Sequence, residues 1–169
     1  MHMIANALYL PDLSEQQIID CTANYNNQGC NGGYRFYSMN YIQDYGLVTE
    51  DVYPYRQVKQ NCIYSAGSYK VSTVSEHNGC EAIRKAVRRG PVAVGVDAKS
   101  WAFYSWGVLP CYNNQWVDHA VVVVGYDSAW NWIVKNSWGT TWGEGGYITV
   151  DRYADCMLCQ YAGVSANVL

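Results

Sequence analysis

Residues 117–136 read VDHAVVVVGYDSAWNWIVKN, and the fold turns on this stretch. His119 opens an apolar, β-branched run over 120–126. A polar turn follows at 127–131, then a second short run at 132–135, and Asn136 comes next. Two such runs bounded by turn residues predict a pair of antiparallel strands. Pairing them brings His119 and Asn136 within side-chain reach. A carboxamide oxygen that accepts the imidazole N–H fixes the tautomer and aims the other ring nitrogen outward as a base. A lone histidine on an apolar strand is more often a core residue satisfied by a carbonyl. The companion segment Asn136-Ser137-Trp138-Gly139 shifts the balance toward chemistry, because an indole such as Trp138 can shield the pair from water.

Outward from this hairpin, residues 92–96 and 147–150 read as further antiparallel strands, separated by Gly, Pro or Asn. The earlier part of the chain is helical. Ser14-Glu15-Gln16-Gln17 predicts a capping box opening a helix that turns Ile18 and Ile19 inward. Tyr34, Tyr37, Tyr41 and Tyr45 recur at helical spacing, with Gly46 as the C-terminal cap. Asn78-Gly79-Cys80-Glu81 predicts a second capping box, followed by a helix that buries Ala82, Ile83, Ala86 and Val87 and ends in Arg88 and Arg89. His77 falls in a loop and His2 at the terminus, both solvated. Helices first and strands second predict an α+β protein of two lobes, 1–72 and 73–169, dividing near 69–75.

Of 169 residues, 50% are hydrophobic and 15% charged, too apolar for a disordered chain. A net charge of −3 argues against a basic nucleic-acid surface. The apolar run 120–124 is far shorter than the about 20 residues that cross a bilayer. The uncharged stretch 100–117 is broken by Pro110, Asn113, Asn114 and Gln115, and no basic segment precedes the apolar run 3–10 to make a signal peptide. Neither a nucleic acid nor a membrane is an expected partner. Seven cysteines point to an oxidising compartment, and an odd count leaves at least one without a partner in this sequence. Cys156 and Cys159 form a C-x-x-C, but zinc would need two further ligands, so no metal is expected.

These segments together resemble the papain-like cysteine proteases, the family of papain and the cathepsins. The matching stretches are Leu13-Ser14-Glu15-Gln16-Gln17-Ile18-Ile19-Asp20-Cys21, Gly29-Cys30-Asn31-Gly32-Gly33-Tyr34, Val52-Tyr53-Pro54-Tyr55, Gly90-Pro91-Val92, Val117-Asp118-His119-Ala120-Val121, and 135–147. The resemblance implies a helical left lobe and an antiparallel, β-barrel-like right lobe with a groove between them. It implies that His119 is general base and then general acid, that Asn136 orients it, and that Trp138 covers the pair. Gly32 and Gly33 resemble the strip whose backbone bonds an extended peptide. The resemblance further implies that the Asp118 carbonyl faces substrate and that Tyr34, Gly95 and Ala120 line an apolar pocket with Val164 as its floor.

The family's nucleophile signature, C-G-[SA]-C-[WY], stands about 130–150 residues before the His and Asn, and it does not occur here. The earliest cysteine, Cys21, lies 98 residues before His119. The spacing places the nucleophile roughly 11 to 14 residues ahead of Met1, so the central helix that bears it is expected to be largely missing. The resemblance pairs Cys21 with Cys62 and Cys111 with Cys159, and orphans Cys30. Cys80 and Cys156 have no family partner, and pairing with each other is the remaining option. The expected function is a Cys-His-Asn endopeptidase whose Cys is not in this chain, inactive in this chain alone. The alternative is a non-catalytic homologue that binds peptides or serves as a structural domain. The resemblance implies no cofactor, a peptide or protein substrate, a pro-segment or protein inhibitor as partner, and a lysosomal, vacuolar or secreted location.

Overall fold

The computed structural model describes residues 11–112 and 115–168. His2 and the run 3–10 lie outside the described residues. The chain forms two compact units, Met1–Ser75 with Ala166–Leu169, and Glu76–Ser165. The expected division after residue 72 falls three residues early. The C-terminal end, expected in the second lobe, groups with the first unit, where Ser72 Oγ donates to the Asn167 carbonyl at 3.3 Å.

In the first unit, helix α1 (Glu15–Cys21) starts at Ser14, whose Oγ accepts the Gln17 N–H at 3.0 Å. The capping box is only half made. Gln17 does not return to the Ser14 N–H, which donates to the Val48 carbonyl instead. The Gln17 amide donates to Tyr41 Oη (3.0 Å) and the Gly46 carbonyl (3.1 Å), and its oxygen accepts the Val48 N–H (2.8 Å). Gln16 and Asp20 act alike. Gln16 binds the Val58 carbonyl and the Arg56 N–H, and Asp20 receives the Gln60 N–H and Tyr53 Oη–H. Contrary to expectation, α1 buries this polar face, and Ile18 and Ile19 are half-buried. The loop over 47–60 has little regular structure, so the helix supplies the hydrogen bonds its backbone needs. Helix α2 (Arg35–Tyr45) buries Tyr41 and ends at Gly46, whose N–H bonds the Ile42 carbonyl at φ 75°.

The sheet runs β1-β7-β2-β4-β5-β6-β3, with β1 (Val71–His77), β2 (Val92–Val96), β3 (Val108–Leu109), β4 (His119–Tyr126), β5 (Trp132–Lys135), β6 (Tyr147–Val150) and β7 (Gly163–Val168). The α+β class holds. Two expectations do not. The sheet is open, because its end strands β1 and β3 do not pair, and β3 lies parallel to β6. A two-residue edge strand offers too few N–H and C=O groups to zip a barrel shut. Val92, Val94 and Val96 alternate on β2 against Val121 and Val123 on β4, and all five are buried. Helix α3 (Gly79–Val87) packs on this sheet through Ile83, Ala86 and Val87. Asn78 precedes it without a side-chain cap bond, so the second capping box does not form. His77 is not a solvated bystander. It lies half-buried on β1 with Nε2 2.8 Å from Ser165 Oγ, and burial, then Arg89, lowers its pKa.

Disulfides join Cys21–Cys62, Cys80–Cys159 and Cys111–Cys156. The expected Cys111–Cys159 pairing and the Cys80–Cys156 option are therefore corrected. Backbone bonds decide the exchange. Cys111 N–H donates to the Ala154 carbonyl and Asp97 N–H to the Cys156 carbonyl, which sets Cys111 beside 156. Cys80 instead meets the Asp155–Cys159 side, its Sγ 3.6 Å from Asp155 Oδ2. Cys156 and Met157 both sit at positive φ, 55° and 63°, a conformation costing on the order of 1 kcal/mol per non-glycine residue.

Two aspartates pin the chain just before His119. Asp97 accepts the Lys99 and Gln115 N–H groups, and Asp118 accepts the Ala98 N–H at 2.9 Å while its own N–H donates to the Val96 carbonyl. Asp118 thus holds the residue after Asp97, and Asp97 holds Gln115 shortly before Asp118. Burial alone would raise the Asp97 pKa, but the N–H groups of Gln115, Lys99 and Trp116 and the Lys99 charge outweigh it and hold it below 3.8. A depressed carboxylate pKa stabilises the fold above the ordinary value and loses that contribution as pH falls through the folded-state value. Asp97→Asn is therefore expected to lower Tm at pH 7, with the gap to the native protein closing below pH 3.8; thermal melts across that range check it. Gln17→Ala removes three hydrogen bonds and strands the Val48 N–H, and is expected to cost about 3 kcal/mol in chemical denaturation.

Candidate active site

Strand alternation places the two central side chains. On β4, His119 follows Val121 and Val123 on the face that packs the core. On β5, Trp132 and Val134 occupy that same face, and Asn136 is next in step just past the strand's end. Val122 pairs with Lys135, so Asn136 is diagonal to His119, within reach of long side chains. A bulge at Val123/Gly125 shifts the register only on the far side of this pairing. His119 and Asn136 thus continue the buried stripe to its edge.

His119 Nε2 and Asn136 Oδ1 are 2.8 Å apart. The same Oδ1 accepts the Ser137 backbone N–H at 2.8 Å. A backbone N–H can only donate, so that atom is the oxygen and the amide orientation follows from chemistry. The imidazole must then donate from Nε2, and in the neutral ring Nδ1 carries the lone pair. The Asn136 backbone N–H donates to the Gly146 carbonyl at 3.0 Å. Asn136 is buried, and its Nδ2 has no hydrogen-bond partner among the described residues.

Trp138 lies against the imidazole, ring centroids 5.1 Å apart and planes inclined by 31°. The fully buried Trp101 meets His119 edge-on at 6.4 Å and stacks on Trp142 at 6.2 Å. Trp142 Nε1 donates to the Trp101 carbonyl, and Trp101 Nε1 to Cys156 Sγ at 3.3 Å. Trp101 and Trp142 were not anticipated as supports of the histidine. The one available signal was the spacing of Trp138 and Trp142, four residues apart in a glycine-rich loop.

Gly95 pairs with Ala120, and the neighbouring Ala93 pairs with Val164, so these pocket candidates share adjacent strands β4, β2 and β7. Gly95 and Val164 are buried and Ala120 is exposed. Gly32, Gly33 and Tyr34 belong to the first unit and are exposed. Gly32 takes φ 110° with open space where a Cβ would stand. A Cβ on Gly33 would come within 2.5 Å of Asn27 Oδ1, which accepts the Tyr34 N–H and so starts α2. Cys30 is the exposed free thiol of the seven cysteines. Ligand atoms of Cys80, Asp155 and Cys159 lie within 4.8 Å of one another, but the two sulfurs are bonded to each other and offer no thiolate to a cation.

The family description "Papain family cysteine protease" matches residues 1–166. A protein of Paramecium tetraurelia named putative cathepsin L 3 is 41% identical over 150 residues, covering 88% of this chain and 48% of that protein. The thiol protease SEN102 of Hemerocallis is 40% identical over 154 residues, covering 85% and 42%. The chain therefore spans about half the length of the curated relatives it matches. Among solved structures, digestive procathepsin L 3 of Tenebrio molitor larval midgut superposes with TM-score 0.86 at 35% identity over 98% of this chain and 59% of its own. The Carica candamarcensis cysteine protease CMS1MS2, solved with E-64, gives 0.83 at 33% identity over 94% and 78%. With the imidazole–carboxamide pair in place and the match running almost end to end, the chain belongs to the papain family of cysteine proteases.

Proposed function

We propose that the protein hydrolyses peptide bonds by a Cys-His-Asn mechanism in which His119 is the base, Asn136 holds its tautomer, and the thiolate comes from a cysteine outside these 169 residues. The observation that carries this reading is the shared Asn136 oxygen, which commits His119 to donate from Nε2 and leaves Nδ1 to take a thiol proton. His119 Nδ1 accepts the proton as the sulfur attacks the carbonyl carbon, and returns it to the leaving amine. Water then attacks the acyl-enzyme with the same nitrogen as base. Trp138 keeps water off the imidazole–amide bond. The backbone of Gly32 and Gly33 binds the substrate as a strand, and the Asp118 carbonyl takes a further bond. Gly95, Ala120 and Val164, on adjacent strands of the second unit, accept an apolar side chain. A pro-segment is the natural partner, since one structural neighbour is a procathepsin, and a lysosomal or secreted setting suits the three disulfides.

A second reading, a peptide-binding homologue without catalysis, rests on the absence of the nucleophile signature from all seven cysteines. The test is cleavage of a fluorogenic peptide by the native protein and its variants, with labelling by a thiol-directed epoxide. His119→Ala is expected to lose activity by about 10⁶-fold in the manner of other triads. Asn136→Ala is expected to lose about 10²-fold through misplaced geometry. Unchanged turnover in His119→Ala would overturn the proposal, and peptide binding without cleavage or labelling in the native protein would establish the second reading.

A further inference from the structure

The sequence holds two Asn-Gly pairs, 31–32 and 78–79, and the fold treats them differently. An asparagine carboxamide followed by glycine is open to attack by the glycine's own backbone nitrogen, because no Cβ shields that nitrogen. The attack then depends on what ties the two groups down. At Asn31-Gly32 the backbone is tied. Gly32 N–H donates to the Gly29 carbonyl at 3.3 Å, the Gly32 carbonyl accepts the Gln28 N–H at 2.9 Å, and Asn31 N–H donates to the Gln28 carbonyl at 3.2 Å. At Asn78-Gly79 both reacting groups are free. The two residues are exposed at the junction of β1 and α3. The Asn78 side chain makes no cap bond, and Gly79 N–H has no backbone acceptor among the described residues. The backbone has φ −88° and ψ 123° at Asn78 and φ 79° at Gly79, close to the central pair of a type II turn. Nothing stands within 4 Å of where a Cβ would be on Gly79 or on Gly32, so the hydrogen bonds, not the space, distinguish the pairs. Asn136-Ser137 is closed in another way, since Asn136 is buried and its carboxamide oxygen accepts two N–H groups.

We infer that Asn78 is a self-modification site that converts to aspartate and isoaspartate with water as the only co-reactant. The Gly79 nitrogen gives its proton to solvent and attacks Asn78 Cγ. The Cγ–Nδ2 bond breaks, and Nδ2 takes a proton from solvent and leaves as ammonia, which closes a five-membered succinimide. Water then adds to one of the two ring carbonyls. Opening at Cγ leaves aspartate. Opening at the Asn78 main-chain carbonyl leaves isoaspartate, with the backbone routed through Cγ. Either way one water is gained and one ammonia lost, and nothing is oxidised or reduced. The new acid ionises and adds a negative charge beside His77. Isoaspartate also lengthens the backbone by one carbon between β1 and α3, the helix whose Ile83, Ala86 and Val87 are buried.

The experiment ages the native protein at neutral pH in heavy-oxygen water and follows the asparagine-containing peptides by mass spectrometry, with the same protein in urea as reference. Its readout is mass, so it is independent of peptidase activity. In urea both Asn-Gly pairs are untied and are expected to convert at similar rates. In the native protein residue 78 is expected to convert about fivefold faster than residue 31, the factor that one hydrogen bond imposes. The new carboxylate is expected to carry solvent oxygen, and Asn136 to stay unchanged. Gly79→Ala is expected to slow conversion at 78 about tenfold, by placing a Cβ beside the attacking nitrogen, and to leave 31 unaffected. Equal native rates at the two pairs, faster conversion at 31, or an unconverted Asn78 once the urea sample has reacted would each overturn the inference. The native ratio needs no variant, so it decides the matter even where Gly79→Ala fails to fold.

Discussion

Asn136 Oδ1 receives two hydrogens, one from the Ser137 backbone and one from His119 Nε2. The backbone donor cannot reverse its role, so turning the amide over would set its NH2 against the Ser137 N–H and lose that hydrogen bond, worth about 0.5–1.5 kcal/mol. Everything useful about His119 follows from that choice. The ring has one tautomer and its free nitrogen is Nδ1. The strand ladder between Val122 and Lys135 brings the two side chains together, but the backbone donor decides what they do.

The rest of the second unit serves to keep this pair still. Valines on β2 and β4 carry the core up to His119. Trp101 closes it from below, tied through its indole N–H to Cys156. Asp118 accepts the Ala98 N–H and Asp97 the Gln115 N–H across the base of the loop between them, so the approach to His119 is anchored by charge as well as by apolar packing. In the first unit the corresponding role falls to a polar cage of two amides and a carboxylate. Gln16, Gln17 and Asp20 satisfy a long irregular stretch from inside.

The hairpin, its turn and the His–Asn pair were legible because they are local: short apolar runs, a polar turn and period-two alternation. The β4 strand begins at His119 and β5 spans Trp132–Lys135, matching the pattern closely. What was missed is non-local. Strand β1 mixes Ser, Thr and Glu among its valines and gains its identity from β7, about ninety positions later. Cys156 and Cys159 are three residues apart, so spacing could not say which meets Cys111; the Ala154 and Asp97 backbone bonds do. The buried face of α1 was misjudged because periodicity counts apolar residues, and here glutamine and aspartate are inside with every bond met. Trp101 gave no local sign at all, since its partners come from loops forty residues away.

The indole at 138 rests on the imidazole at 119. A charged imidazolium quenches a touching indole by accepting an excited electron, and the neutral ring does so far less. Trp138 is thus the indole whose emission depends on the ring it touches, one of seven tryptophans in the chain.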